Sequence, residues 1–188
     1  MIDVGIQISV GFERATADRA LSFARNGLPV DVSSEGGRLT IDPKTQLARV
    51  ETLHRDGFSA VAELPSDALI ASLDTYIALA AAGATHAVIG LQFPIALTLA
   101  QGLALRHAIE HAEEVVIEHA AGRMTIGRDA IDIVTDVIMP MIDPATMRPV
   151  EGGEHWKVHG VFRLGGDEAR GSFLQLVNRS LDRERAKN

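Results

Sequence analysis

The chain contains no cysteine. Disulfides, thiolate zinc sites, iron–sulfur clusters and a cysteine nucleophile are therefore excluded together. Aromatic residues make up only 4%, with one tryptophan and one tyrosine. No G-x-S-x-G elbow, G-x-x-x-x-G-K-[ST] loop or glycine-rich dinucleotide loop occurs. There is no basic stripe that could follow a phosphate backbone, so nucleic-acid binding is not expected. Met1-Ile2-Asp3-Val4 offers neither a basic n-region nor a long apolar h-region, so no secretory signal is expected. With the missing cysteine, this makes the cytoplasm the expected compartment.

What is present is ordinary for a folded chain. The 188 residues are 46% hydrophobic and 23% charged, with a net charge of −7. A chain of this length buries roughly 70% of its unfolded surface and needs no covalent staples. The acidic excess lies within residues 107–156, and the end of the chain is mildly basic. Arg179, Arg183, Arg185 and Lys187 are interleaved with Asp182 and Glu184, which suits a solvated helix end. Arginine outnumbers lysine and alanine is abundant, a bias of GC-rich bacterial genomes. From Thr75 to Leu105 there is no Asp, Glu, Lys or Arg. Such a run is long enough to cross a membrane, but Gly83, His86, Gly90, Gln92 and Pro94 punctuate it. A buried helix, strand and helix is the better account, and no membrane span is expected.

Periodicity supplies the elements. Ile2, Val4, Ile6, Ile8, Val10 and Phe12 alternate as a strand with one buried face. Thr16 to Gly27 follows as a helix. Residues 28–64 read as an antiparallel meander, with Asp42-Pro43-Lys44-Thr45 as a β-turn and Arg55-Asp56-Gly57 as a second turn. The spacing of Leu69, Leu73, Ile77 and Ala80 predicts a helix over 68–82. Ala87–Leu91 reads as a short central strand, and Pro94 as the start of a helix over 94–109. A hairpin is expected around Ala121-Gly122. The spacing of Ile131, Val134, Val137 and Ile138 predicts a further helix ended by Pro140. Residues 140–154 form the longest loop-like segment, and long ordered loops are often functional. Trp156, Val158, Phe162 and Leu164 mark a last strand, and Asp167 caps a C-terminal helix. The expectation is a single α+β domain over 1–188. It has a mixed or mostly antiparallel sheet with hairpins, about five covering helices and a weak seam at Leu64-Pro65. No repeat at a fixed period stands out.

Four clusters carry candidate chemistry. His107, Glu110 and His111 match H-x-x-E-H, the inverted zinc-peptidase pattern. On a helix the two histidines share a face, and Glu114 could add a third ligand if the helix continues. An acidic, wet helix face accounts for the same letters. Asp129, Asp132 and Asp136 would lie on one helix face as its polar side. Gly165-Gly166-Asp167-Glu168 resembles the diguanylate cyclase signature. The upstream metal and nucleotide segments of that family are missing, however, and a glycine turn before an Asp cap explains the four residues. Finally, His155, Lys157, His159 and Arg163 fall on one face of the last strand, opposite Trp156 and Phe162. Such a row could bind a small anionic ligand.

The expected function is therefore that of a soluble, non-catalytic binding protein for a protein partner or a small anionic ligand, with no cofactor and no resident metal. His155, Lys157, His159 and Arg163 are its candidate ligand-binding residues. The alternative is a small metal-dependent hydrolase acting through His107, Glu110 and His111. Helices 68–82 and 94–109 are apolar on nearly every side, which makes a homodimer through them the expected assembly.

Overall fold

The computed structural model describes residues 1–52, 57–79, 85–140, 142–143, 148–149, 151–153 and 155–187. Within them β1 (Ile2–Glu13) leads into α1 (Arg14–Arg25). The strands β2 (Val30–Ser34), β3 (Gly37–Asp42), β4 (Leu47–Thr52) and β5 (Phe58–Pro65) then form the expected meander. The Asp42 carboxylate accepts the Lys44 N–H at 2.9 Å, closing the turn between β3 and β4 where the sequence places it. α2 (Ser66–Leu79) is followed by β6 (His86–Leu97) and α3 (Leu99–His111). The hairpin β7 (Val115–His119) and β8 (Gly122–Ile126) comes next, then β9 (Ala130–Pro140). After it come the short pair β10 (Ile142–Asp143) and β11 (Arg148–Pro149), then β12 (His155–Gly165) and α4 (Gly166–Arg185). The chain is thus α+β with antiparallel sheets, and the described residues hold four helices rather than about five. The Arg55-Asp56 turn signal, the end of the 68–82 helix and part of the 140–154 segment lie outside the described residues.

Two expected helices are strand in whole or part. Residues 131–138 belong to β9, where Ile131, Ile133, Thr135 and Val137 line the core at period 2. The helical spacing of Ile131, Val134 and Ile138 is incidental to a run rich in β-branched residues, which favour the pleat. Pro94 opens no helix. It lies inside β6, opposite Gly5 of β1. Among the described residues β6 pairs with β1 alone, so its other side is an edge where proline is tolerated. α3 starts after Thr98, with a capping box. Thr98 Oγ1 accepts the Gln101 N–H at 3.1 Å and Gln101 Oε1 accepts the Thr98 N–H at 2.8 Å. At the other helices α1 begins two residues before Thr16, and Asp167 sits in the first turn of α4 behind an N-cap at Gly165.

Eight strands make one antiparallel sheet in the order β2-β3-β4-β5-β12-β9-β8-β7, and β1 and β6 form a separate twelve-residue ribbon. That order is a palindrome. The first half of the chain runs β1-α1-β2-β3-β4-β5-α2, and the second, apart from the short β10–β11 pair inserted between β9 and β12, runs β6-α3-β7-β8-β9-β12-α4. The chain is therefore a duplication, which the sequence reading did not find. Its trace survives in two places. Val4-Gly5-Ile6-Gln7-Ile8 matches Ile89-Gly90-Leu91-Gln92-Phe93, and Gly37-Arg38-Leu39-Thr40-Ile41 matches Gly122-Arg123-Met124-Thr125-Ile126.

Equivalent residues meet at the centre, as a two-fold relation requires. Gln7 pairs with Gln92 in the ribbon, and Val61 pairs with Val161 where β5 meets β12. Equivalent glycines serve equivalent purposes. A Cβ on Gly37 would collide with the Glu51 carbonyl, and one on Gly122 with the Val134 carbonyl. The ribbon's inner face, the inner face of the large sheet and the four helices share one hydrophobic cluster, which includes Ile8, Phe93, Phe162, Leu73 and Phe173. The outer face of the large sheet carries charged residues and is not part of that cluster.

Candidate binding cleft

The duplication is broken at one end of the sheet. β4 and β5 are joined through residues 53–57, whereas β9 and β12 continue their ladder to Pro140↔His155 and are joined through residues 141–154. This longer hairpin brings Met139, Pro140 and Trp156 alongside α2 and β6. The result is a cleft of about 660 Å³, within the range of small-molecule sites. Leu64, Ala68, Ala71 and Val158 form its apolar walls, and Tyr76, Gly90 and Gln92 supply polar edges. Trp156 and Tyr76, the only residues of their kinds in the chain, both line it.

Local chemistry fixes these side chains. Met139 and Trp156 face each other across the β9–β12 ladder on the inner face, one pair beyond Val137↔Val158. The Tyr76 hydroxyl donates to the Gly90 carbonyl at 2.5 Å, which ties α2 to the outer edge of β6. Burial pushes the Tyr76 phenol above its ordinary pKa, so it stays neutral. Ser72 and Thr75 donate back to the Ala68 and Ala71 carbonyls of their own helix. Asp74 is engaged by Arg25 of α1. Gln92 and the indole N–H of Trp156 are the polar lining groups that make no hydrogen bond within the described residues. Among the described residues the lining holds no histidine and no cation, and its serine bonds to its own backbone.

No family model, curated protein or solved structure matches this chain.

The row expected on β12 is present and lies elsewhere. His155, Lys157, His159 and Arg163 do share the outer face of the large sheet. Three of them, however, are matched by aspartates of β9. His159 Nδ1 donates to Asp136 at 2.9 Å, Lys157 Nζ lies 3.0 Å from Asp136, and Arg163 lies 3.0 Å from Asp132. The bond from His159, then that from Lys157, holds the Asp136 carboxyl below the usual carboxylate range. His155 Nδ1 donates to the Gly153 carbonyl. The row is a cross-strand charge ladder whose cations already have anions. The aspartates were read from sequence as one helix face; β9 being a strand is what sets Asp132 and Asp136 directly opposite Arg163 and His159.

The H-x-x-E-H residues lie on α3 and are exposed. The His107 and His111 rings stack with centroids 4.1 Å apart, and His111 Nδ1 donates to the His107 carbonyl. Glu110 turns to Arg106 at 4.0 Å, and His107 Nε2 lies 3.6 Å from Glu113. α3 ends at His111, with Ala112 left-handed, so Glu114 is not on the helix with the two histidines. Among the described residues no three His, Asp or Glu side chains converge as a metal set. Also among them, no helix is long and apolar enough to cross a membrane.

Sequence reasoning missed the cleft because its lining comes from β5, α2, β6, β9 and β12, which span much of the chain. The one available signal was the rarity of aromatics. A single tryptophan next to the longest loop-like segment marks a place where a large apolar surface is held near the chain's outside.

Proposed function

We propose that this protein is a non-catalytic binding protein whose cleft takes a neutral, largely apolar ligand. The observation that carries this reading is the β9–β12 extension, which has no counterpart in the first repeat and sets Met139, Pro140 and Trp156 against Tyr76 and Gln92. An anionic ligand fits this lining poorly. Among the described residues its one charged residue is Asp74, and the Arg25 beside it is already engaged. The Gln92 carboxamide can offer one donor and one acceptor to a polar group on an otherwise apolar ligand. The lack of an activated nucleophile or a proton-transfer pair in the lining favours binding over chemistry.

Trp156 makes the test direct. Titration with the neutral fluorophore N-phenyl-1-naphthylamine should give saturable energy transfer from Trp156. Ala71→Phe should fill the cleft and weaken binding at least tenfold while leaving the thermal midpoint within a few degrees. Fluorophore binding that Ala71→Phe leaves unchanged would remove the cleft from consideration.

A further inference from the structure

The two outer edges of the large sheet, β2 and β7, are equivalent under the duplication, yet they are finished differently. In each hairpin a two-residue loop joins the edge strand to its neighbour. Ser34 pairs with Gly37 around Glu35-Gly36, and His119 pairs with Gly122 around Ala120-Ala121. The residues flanking such a loop form a hydrogen-bonded pair, and bonding alternates along the ladder. The backbone groups of Asp31 and Ser33 on β2, and of Val116 and Glu118 on β7, therefore point away from the sheet. On β7 the Glu118 carbonyl is taken by Gln101 Nε2 of α3 at 2.6 Å. The equivalent carbonyl on β2 is that of Ser33, and the equivalent residue on α1 is Thr16. No hydrogen bond among the described residues involves the outward groups of Asp31 or Ser33.

The helix beside each edge differs in the same sense. Ala104 and Ala108 of α3 occupy the places that Arg19 and Phe23 hold on α1. Arg19 and Phe23 are one turn apart and line a groove of about 420 Å³ with Pro29, Val30, Asp31 and Val32. Phe23 is 44% exposed. Arg19 has no acidic partner among the described residues, while Asp31 is held by two bonds from Arg38. The lining therefore presents an apolar ring and one unbalanced positive charge beside a row of open backbone donors and acceptors.

We propose that β2 is a docking edge for an extended acidic segment of a partner protein, which adds as a ninth strand. Its backbone would bond to Asp31 and Ser33. Alternate side chains would point toward α1, an apolar one against Phe23 and a carboxylate against Arg19. This is strand addition, in which main-chain bonds give affinity and side-chain pockets give specificity. The site is independent of the cleft between α2 and β6, and neither test bears on the other.

The probe is a fluorescein-labelled, end-capped heptapeptide of alternating valine and glutamate, read by anisotropy against a version with lysine for glutamate. The wild-type protein should bind the acidic peptide at least tenfold more tightly than the basic one. Arg19→Glu should remove that preference. Ser33→Pro should abolish binding, since it deletes one outward N–H on an edge strand, where proline is tolerated. Val116→Pro on the opposite edge should change nothing. Circular dichroism and thermal melting check that each variant is folded, and Arg19→Glu keeps the test open should Ser33→Pro fail to fold. Three results would overturn the proposal: no binding at millimolar peptide, equal binding of the two peptides, or a dimer of this chain that Arg19→Glu or Ser33→Pro dissociates. The last would assign the edge to a second copy.

Discussion

At the residue scale, equivalent positions show which side chains are structural necessities. Ser34 and His119 occupy the same place in the two repeats and do the same work. Ser34 Oγ accepts the Gly36 N–H and His119 Nδ1 accepts the Ala121 N–H, each at 3.3 Å. The histidine carries a penalty the serine does not. Its Nε2 is buried with no hydrogen-bond partner among the described residues. Burial lowers the His119 pKa, only partly opposed by Glu118. A folded-state pKa below the unfolded one means that the unfolded chain binds the proton more readily. The associated stability is complete above the unfolded histidine pKa and is lost as pH falls through the histidine range toward the folded value. His119→Ser keeps the acceptor and removes the titration. Relative to this variant, the wild type should lose stability between pH 7.5 and pH 5. The loss is on the order of a few tenths of a kcal/mol after allowance for solvent screening, read as a shift in urea midpoint.

At the element scale, the two repeats solve one packing problem in two ways. Gly160 on β12 corresponds to Ala60 on β5, and Phe93 on β6 corresponds to Ile8 on β1. A Cβ on Gly160 would lie 2.6 Å from Phe93 Cε1, and Phe93 packs edge-on against Phe162 with ring centroids 4.9 Å apart. The glycine is what admits the larger ring. Gly160→Ala should therefore destabilise by about 1–3 kcal/mol, the usual cost of overpacking. Adding Phe93→Ile should recover only part of that, because the same Cβ would lie 2.7 Å from Phe162 Cε2, where the other repeat has Ala62. Denaturation of the two single variants and the double variant, read as a thermodynamic cycle, checks the coupling. Much at this scale was legible in the sequence. Clean alternation gave β1 and β12, turn residues gave the β2–β5 meander and the β7–β8 hairpin, and apolar spacing gave α2. Failure came where two periods fit the same residues, as in β9, and where Pro94 was weighed without knowing that β6 has a free edge. Thr98 and Gln101, the capping pair that starts α3, were present in the sequence and passed over.

At the scale of the whole molecule, the duplication organises everything else. It was hidden because core positions keep only their apolar character, so few identities survive. The Gly-x-Gln and Gly-Arg-x-Thr-Ile matches persist where a close backbone approach, or the pairing of Gln7 with Gln92, constrains the residue. Some of the apolar residues that suggested a dimer are covered inside the chain, while Leu99, Ala100 and Ala104 of α3 are exposed. Leu69, Leu73 and Leu105 are fully buried, and Ile95 and Leu97 are core residues of β6.

The two-fold relation also makes the passage from α4 back to β1 equivalent to the passage from α2 into β6. The chain ends sit as this requires, for the Met1 amino group donates to Glu184 Oε1 of α4 at 2.7 Å. A circular permutant that joins residue 188 to Met1 through a short glycine–serine linker, with new ends between α2 and β6, exchanges the order of the repeats without changing any strand pairing. Closely placed surface termini generally tolerate such a change. Its thermal midpoint should lie within about 2–4 °C of the parent, what 1 kcal/mol does for a chain of this size. Its Trp156 emission should be unchanged. A permutant that melts without cooperativity, or whose Trp156 emission shifts to that of a solvated indole, would mean that the α2–β6 passage is needed to assemble the two halves and that the repeats are not interchangeable in order.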